Sequence, residues 1–196
     1  LAISQDEGES WTPLNEVGDW GGIVVMGFVE PIGFKKGQYL AMFHDDGRFY
    51  AKNGKRTGIF TLFKTFSKDG GLTWNKPQTV FKSSEVHLCE PGLIRSPDGK
   101  KIAVLLRENS RKKNSHIIFS EDEGKTWSSP RELPLSLTGD RHIGKYAPDG
   151  RLFISFRCRS PQKLASKRIY EGDWVGWVGT WDDLVQGKSG QYSIRL

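Results

Sequence analysis

Short apolar runs alternate with turn-forming clusters along the chain, and their length and spacing predict strands rather than helices. Residues 23–30 form a strongly apolar stretch suited to an inner strand covered on both faces. Residues 39–44 follow as a second strand, 60–67 alternate as a third, and 78–82 complete an outer strand. The same order returns at 88–95, 102–107, 116–120 and 131–135, and again at 141–147, 152–157, 174–180 and 192–196. Turn chemistry separates the runs: Asp19-Trp20-Gly21-Gly22, Lys35-Lys36-Gly37, Pro97-Asp98-Gly99 and Pro148-Asp149-Gly150. Residues 1–18 read as the end of a further unit, with the tail of a third strand, a turn and an outer strand near 11–17.

One frame recurs at a fixed place in these units. Ser-x-Asp-x-Gly-x-(Ser/Thr)-Trp occurs at 4–11, 67–74 and 120–127, with Trp-to-Trp intervals of 63 and 53 residues. In each copy the aspartate (Asp6, Asp69, Asp122) is placed to accept backbone N–H bonds just downstream. The glycine supplies a positive φ, and the tryptophan offers a large apolar surface to a sheet. The frame is therefore a turn with its own fastening, and its aspartates read as structural. Gly179-Thr180-Trp181-Asp182-Asp183 stands where a fourth, degenerate copy falls. Repeats of this length hold about four short strands each, as a propeller blade does. The expected units are 1–18, 19–85, 86–137 and 138–196, three blades plus a remnant. An open half-ring would leave sheet faces uncovered, so a longer protein is expected to close it.

Composition changes this picture little. The 196 residues are 36% hydrophobic with 23 glycines and 7 tryptophans, enough for one all-β domain with a core. No apolar run approaches about 18 residues, so no membrane span is expected. Cys89 and Cys158 are too few for a disulfide scaffold and read as separate buried thiols, with pairing left open. The formal charge of +6 is spread along the chain, apart from Arg111-Lys112-Lys113, which reads as a solvated loop. No nucleic-acid partner is expected from this distribution, whereas a modest positive field suits an anionic sugar. His87 and His116 lack metal-ligand spacing, and no metal or cofactor is expected. His44-Asp45-Asp46-Gly47 reads as a turn, and Trp174, Trp177 and Trp181 as blade packing, with a sugar-facing role as the alternative.

Candidate chemistry lies in charges that end apolar runs: Glu90, Arg107, Arg141, His142 and Arg157. An arginine closing a run such as 102–106 needs water or a partner there. On the residues alone, a rim ion pair between Glu90 and Arg107 and a functional site both stay open.

The repeated frame is similar to the Asp-box, and the chain resembles the sialidase superfamily, whose fold is a six-bladed β-propeller. The resemblance implies an exo-α-sialidase-like glycoside hydrolase that cleaves terminal sialic acid or a related acidic sugar from glycoconjugates. It places Asp6, Asp69 and Asp122 at the rim, away from the active site. The segment from Glu90 to Arg107, with Pro97-Asp98-Gly99 between, matches the family pattern of a glutamate heading an inner strand and an arginine ending the next. Glu90 would then be the base that activates a tyrosine nucleophile, and Arg107 one of three arginines that clamp the substrate carboxylate. Arg157 or Arg141 would be another, with His142 beside it. Guanidinium suits that task because it binds carboxylate bidentately and keeps its charge. A glutamate beside tyrosine answers how a phenol of pKa about 10 could attack at neutral pH in a family whose nucleophile is Tyr. The family's early Arg-Ile-Pro motif is absent, and with it the acid/base Asp; the nucleophilic Tyr is expected beyond Leu196, not at Tyr170 or Tyr192. Gly139-Asp140-Arg141-His142-Ile143-Gly144 departs from the family pattern. The alternatives are a non-catalytic Asp-box propeller that binds glycans or proteins, and an Asp-box hydrolase using a carboxylate pair. The resemblance favours a secreted or periplasmic setting over a cytoplasmic one, with oligomeric state left open.

Overall fold

The computed structural model describes residues 1–18, 20, 26–33, 36–48, 55, 57–167 and 169–196. Three four-stranded antiparallel sheets follow one another along the chain, each a simple meander. The first holds β1 (Met26–Pro31), β2 (Tyr39–Asp45), β3 (Phe60–Ser67) and β4 (Gln78–Ser83). The second holds β5 (Leu88–Arg95), β6 (Ile102–Glu108), β7 (His116–Ser120) and β8 (Arg131–Glu132). The third holds β9 (Gly139–Tyr146), β10 (Leu152–Cys158), β11 (Trp174–Gly179) and β12 (Tyr192–Arg195). These are propeller blades, and their inner strands β1, β5 and β9 pack side by side.

Two cores glue the blades together. In β6, Ile102, Val104 and Leu106 point to the first blade, where Leu40, Met42 and Leu62 meet them. Ala103 and Leu105 point the other way, onto Leu152, Ile154, Phe156 and Trp177 of the third blade. The period of two in a strand thus sends successive side chains to opposite cores. That is why β6 reads as an unbroken apolar run: both faces are dry. Ion-pair and hydrogen-bond links reinforce the stacking. Arg95 bonds Glu30 of the first blade at 2.6 Å and grips Glu123 through two nitrogens at 3.0 and 2.7 Å. Lys64, itself buried, donates to the carbonyls of Gly124 (3.0 Å) and Lys125 in the next blade.

The three Ser-x-Asp turns are built alike. In the third, Ser120 Oγ accepts from Gly124 N–H at 2.9 Å and donates to Asp122 Oδ1, also at 2.9 Å. Asp122 accepts from the N–H and hydroxyl of Thr126 at 2.8 and 2.6 Å, and Trp127 Nε1 donates to Gly124 O at 3.0 Å. The same bonds recur around Asp6 and Asp69, whose neighbouring hydroxyl and N–H donors hold both carboxyls down at about 2. The turns at Asp69 and Asp122 sit where the third strand of a blade ends, at the other end of the sheet from the start of the inner strand.

Some elements differ from the sequence reading. The strand expected at 131–135 stops at Glu132, because Pro134 has no N–H to pair; a 3-10 turn (Leu135–Leu137) follows. No strand forms at 11–17: only Thr12 and Asn15 bond back to Ile3 and Leu1, and Trp11 and Leu14 stay exposed. The degenerate fourth turn is a short helix, α1 (Trp181–Gln186), started by a reciprocal cap between Thr180 and Asp183. His44 and Asp45 belong to the buried end of β2 rather than to a turn. Trp177 is fully buried and Trp181 packs edge-on to Phe119, whereas Trp174 is 40% exposed. Cys89 and Cys158 are separate buried thiols. The expected turn at 19–22, the start of the strand at 23–25 and Lys35 lie outside the described residues, apart from Trp20.

Removing one fastened carboxylate should loosen its blade. Asp122→Ala deletes three accepted hydrogen bonds and is expected to lower the unfolding free energy by about 1–3 kcal/mol in urea titrations. Thr126→Val, which keeps the N–H contact, should cost less.

Candidate functional site at the heads of the inner strands

Each inner strand begins with the same irregularity. In β5, Cys89 pairs Arg107 and Gly92 pairs Leu105, so Glu90 and Pro91 together oppose Leu106. In β9, Asp140 pairs Arg157 and Ile143 pairs Ser155, so Arg141 and His142 together oppose Phe156. A matching shift lies at Gly27 in β1. These are β-bulges, which twist a strand and re-aim a side chain. Glu90 and Arg141 occupy the same bulge position in successive blades, and both have left-handed backbone, with φ of 48° and 57°. Such a conformation costs a non-glycine residue about 1–3 kcal/mol and persists only where the surroundings impose it. Glycine permits the close stacking of these heads. A Cβ on Gly27 would lie 2.5 Å from the Pro91 carbonyl oxygen, and one on Gly92 would lie 2.1 Å from that of His142.

Between the heads lies a cavity of about 220 Å³, lined by Gly27, Glu90, Pro91, Arg141, His142 and Ile143. Glu90 Oε1 accepts from Arg107 at 2.8 Å, while Oε2 is buried and has no hydrogen-bond partner among the described residues. The Glu90 N–H donates to Nδ1 of buried His44 at 3.4 Å.

Behind the cavity an ionic cluster centres on Asp140, which has no exposed surface. Arg157 donates to it through two nitrogens at 3.1 and 2.6 Å. One nitrogen of Arg111 reaches both carboxylate oxygens at 2.7 and 2.9 Å, and Arg107 Nε lies 3.3 Å away. Burial alone would raise the Asp140 carboxyl; the hydrogen bond from Arg157 and the charges of Arg107 and Arg111 overcome it and leave the carboxyl below its usual range. Arg107 therefore bridges two carboxylates, Asp140 and Glu90. Its charge is retained because Asp140 and Glu90 outweigh the burial that opposes it.

Burial pushes His142 down to about 4, and His44 likewise, the latter opposed in part by Asp46. His142 Nε2 lies 2.9 Å from Leu137 O, which requires Nε2 to carry the proton and leaves Nδ1 an acceptor without a partner among the described residues. Both imidazoles are neutral near pH 7. Burial also raises the Cys89 thiol, which stays protonated.

The structure thus brings Glu90, Arg141 and His142 to one cavity and sets Arg107 directly behind Glu90. Arg157 stands beyond, on Asp140. Asp69 and Asp122 lie at their turns at the other end of the sheets, and Asp6 lies in its own turn. Two members of the cluster escaped sequence reasoning. Asp140 was noted only within an unusual motif. Arg111 was read as part of a solvated run, yet its own left-handed backbone (φ 58°) turns it inward from its lysine neighbours. Only the fork geometry of arginine distinguished it in the sequence.

A family described as "BNR repeat-like domain" matches residues 1–168. The chain belongs to this family. Among solved structures, a protein of unknown function from Dyadobacter fermentans superposes on this BNR repeat-like chain with a TM-score of 0.68 and 19% identity. That match covers 100% of the chain and 51% of the Dyadobacter protein. A K499G mutant of NanB sialidase from Streptococcus pneumoniae matches with a TM-score of 0.54 and 15% identity, over 93% of the chain and 26% of NanB. At these identities the likeness shows a shared fold, sialidase-type propeller blades. No curated protein matches the BNR repeat-like chain significantly.

Two outcomes follow from the buried charges. Asp140→Ala removes the shared acceptor of Arg111 and Arg157 and the nearby counter-charge of Arg107, and is expected to cost about 1–3 kcal/mol of stability by chemical denaturation. Histidine titration gives a second. The unfolded imidazoles titrate near about 6.5 and the folded ones at about 4, so the unfolded state binds more protons between these values. Stability is therefore full above about pH 6.5 and falls as pH drops toward 4. His142→Gln should flatten that slope in urea titrations run at stepped pH.

Proposed function

We propose that this protein is a sialidase-like glycoside hydrolase acting on a terminal acidic sugar, with Glu90 as the base of its site. The observation that carries the reading is the unpartnered Oε2 of Glu90. Buried carboxylate oxygens ordinarily have a donor, and one held without a partner needs an explanation. Glu90 is fixed through Oε1 by Arg107 and through a strained backbone, which leaves Oε2 as the acceptor for a hydroxyl brought within about 2.6–3.2 Å. In the sialidase scheme that hydroxyl belongs to a tyrosine nucleophile: its proton passes to Glu90 as its oxygen bonds to the anomeric carbon and the glycosidic C–O bond breaks, the departing oxygen taking a proton from a separate acid. The sialidase-type blades and the arginine-rich strand ends support the assignment.

A second reading, an acidic-glycan-binding propeller without hydrolysis, is favoured by Asp140. This internal carboxylate already occupies Arg107, Arg111 and Arg157, leaving less positive charge for a substrate. Asp140 itself, fully buried and held ionised, is poorly suited to serve as the second carboxylate of a paired mechanism.

Hydrolysis of a fluorogenic aryl sialoside by the full-length protein separates these readings. Glu90→Gln is expected to lower kcat by about 10²–10⁴. Unchanged turnover in that variant would refute the role of Glu90. No release from folded wild-type protein that still binds sialoside would select the binding reading.

A further inference from the structure

Glu90 is held at two points, from two blades. Arg107, on its own blade, donates to Oε1 of the carboxylate at 2.8 Å. His44, on the first blade, accepts the backbone N–H at Nδ1, at 3.4 Å. The two holders occupy one position in the repeat. β2, β6 and β10 are each seven residues long, and their sixth residues are His44, Arg107 and Arg157. The two arginines bond carboxylates at strand heads of their own blades, Arg107 on Glu90 and Arg157 on Asp140. The imidazole reaches a strand head in the next blade instead. Leu40 and Met42 of β2 pack on the second blade, and the period of two puts His44 on the same face.

The bulge of β5 creates the need for this bond. Glu90 and Pro91 together oppose Leu106, so the Glu90 N–H stands outside the regular ladder, and a backbone N–H withdrawn from water needs an acceptor. His44 is 3% exposed, and its burial keeps it neutral near pH 7, so Nδ1 can accept. Its ring runs parallel to that of Phe60 in β3, with centroids 6.4 Å apart, and Phe60 stacks on His87 at 4.4 Å. We infer that His44 is a positioning residue for Glu90. By accepting the N–H across the blade boundary it holds the left-handed backbone (φ 48°) from which Arg107 takes Oε1 and leaves Oε2 as the acceptor. The inference rests on the reading of Glu90 as the base. It gives the first blade, which otherwise supplies Gly27 to the cavity wall, a part in the chemistry.

The test separates the acceptor from the ring, in full-length protein. His44→Phe keeps a flat ring beside Phe60 and removes Nδ1. His44→Asn removes the ring and restores an acceptor, because its Oδ1 stands the same number of bonds from the backbone as Nδ1. Exchange of the Glu90 amide, followed by NMR, is expected to quicken about tenfold or more in His44→Phe and to stay within about threefold of the parent in His44→Asn. On a fluorogenic aryl sialoside, kcat is expected to fall about 10–100-fold in His44→Phe with KM within about twofold, and to recover most of that loss in His44→Asn. In the Glu90→Gln background His44→Phe should add little, since both changes act on one group. His44→Leu also lacks the acceptor and replaces His44→Phe if that chain does not fold. Unchanged exchange of the Glu90 amide in His44→Phe would overturn the inference. So would equal losses of kcat in His44→Phe and His44→Asn at matched unfolding midpoints, or full kcat in His44→Phe beside a Glu90→Gln variant that has lost it. No release by wild-type protein, or full turnover in Glu90→Gln, sinks the reading of Glu90 as base. The exchange comparison then decides by itself whether His44 holds the Glu90 backbone: quickened exchange in His44→Phe with protection in His44→Asn upholds it, and any other pattern overturns it.

Discussion

The structure depends on β6 being dry on both sides. Ile102, Val104 and Leu106 enter one core while Ala103 and Leu105 enter the other, so the middle blade is clamped between its neighbours through one strand. Each fully buried Leu, Ile or Val contributes about 1.5–3 kcal/mol on transfer from water. The alternation also sets register, since a slip of one residue would exchange the two faces. With β6 held, the inner strands of all three blades are brought level. Their bulged heads then meet, and that meeting creates the cavity.

Charge is arranged around that cavity in two depths. The deeper tier, Asp140 with Arg107, Arg111 and Arg157, is closed and self-neutralising. The outer tier, Glu90 and Arg141, is only partly satisfied: Glu90 has one free oxygen, and Arg141 has no partner among the described residues. Arg107 joins the tiers by touching both Glu90 and Asp140. Buried ion pairs are a weak source of net stability, because desolvation offsets attraction. Their effect here is positional. A carboxylate hydrogen-bonded by Arg111 and Arg157 sets its charge 3.3 Å from Arg107 Nε, and Arg107 in turn holds Glu90.

Local strain is concentrated at the candidate site. Of five non-glycine residues with positive φ among the described residues, Glu90 and Arg141 flank the cavity and Arg111 feeds the cluster behind it. The other two, Glu7 and Glu123, lie inside the Ser-x-Asp turns. The turns offset their strain with hydrogen bonds from Ser, Asp and Trp in the same eight residues. The bulges have no such local compensation and rely on neighbouring blades pressing against Gly27 and Gly92.

What the sequence determined by itself was local and periodic. Apolar runs marked the strands, with β3, β5 and β7 at their observed bounds, because period-two burial leaves a direct trace in composition. The turn frame announced the blades, since its bonds lie within eight residues. Glu90, Arg107, Arg141, His142 and Arg157 were visible as charges ending apolar runs. Tertiary structure alone decided how they combine. Asp140 and Arg111 lie 29 residues apart, and Asp140 and Glu90 sit in different blades, so no local pattern records that Arg107 links them. The bulges decided which side chains face the cavity, and a bulge depends on strand pairing, which is a property of two chain segments rather than one. Pro134 and the Thr180–Asp183 cap show the same division from the other side: their local chemistry was readable, yet the strand and the turn expected there gave way to it.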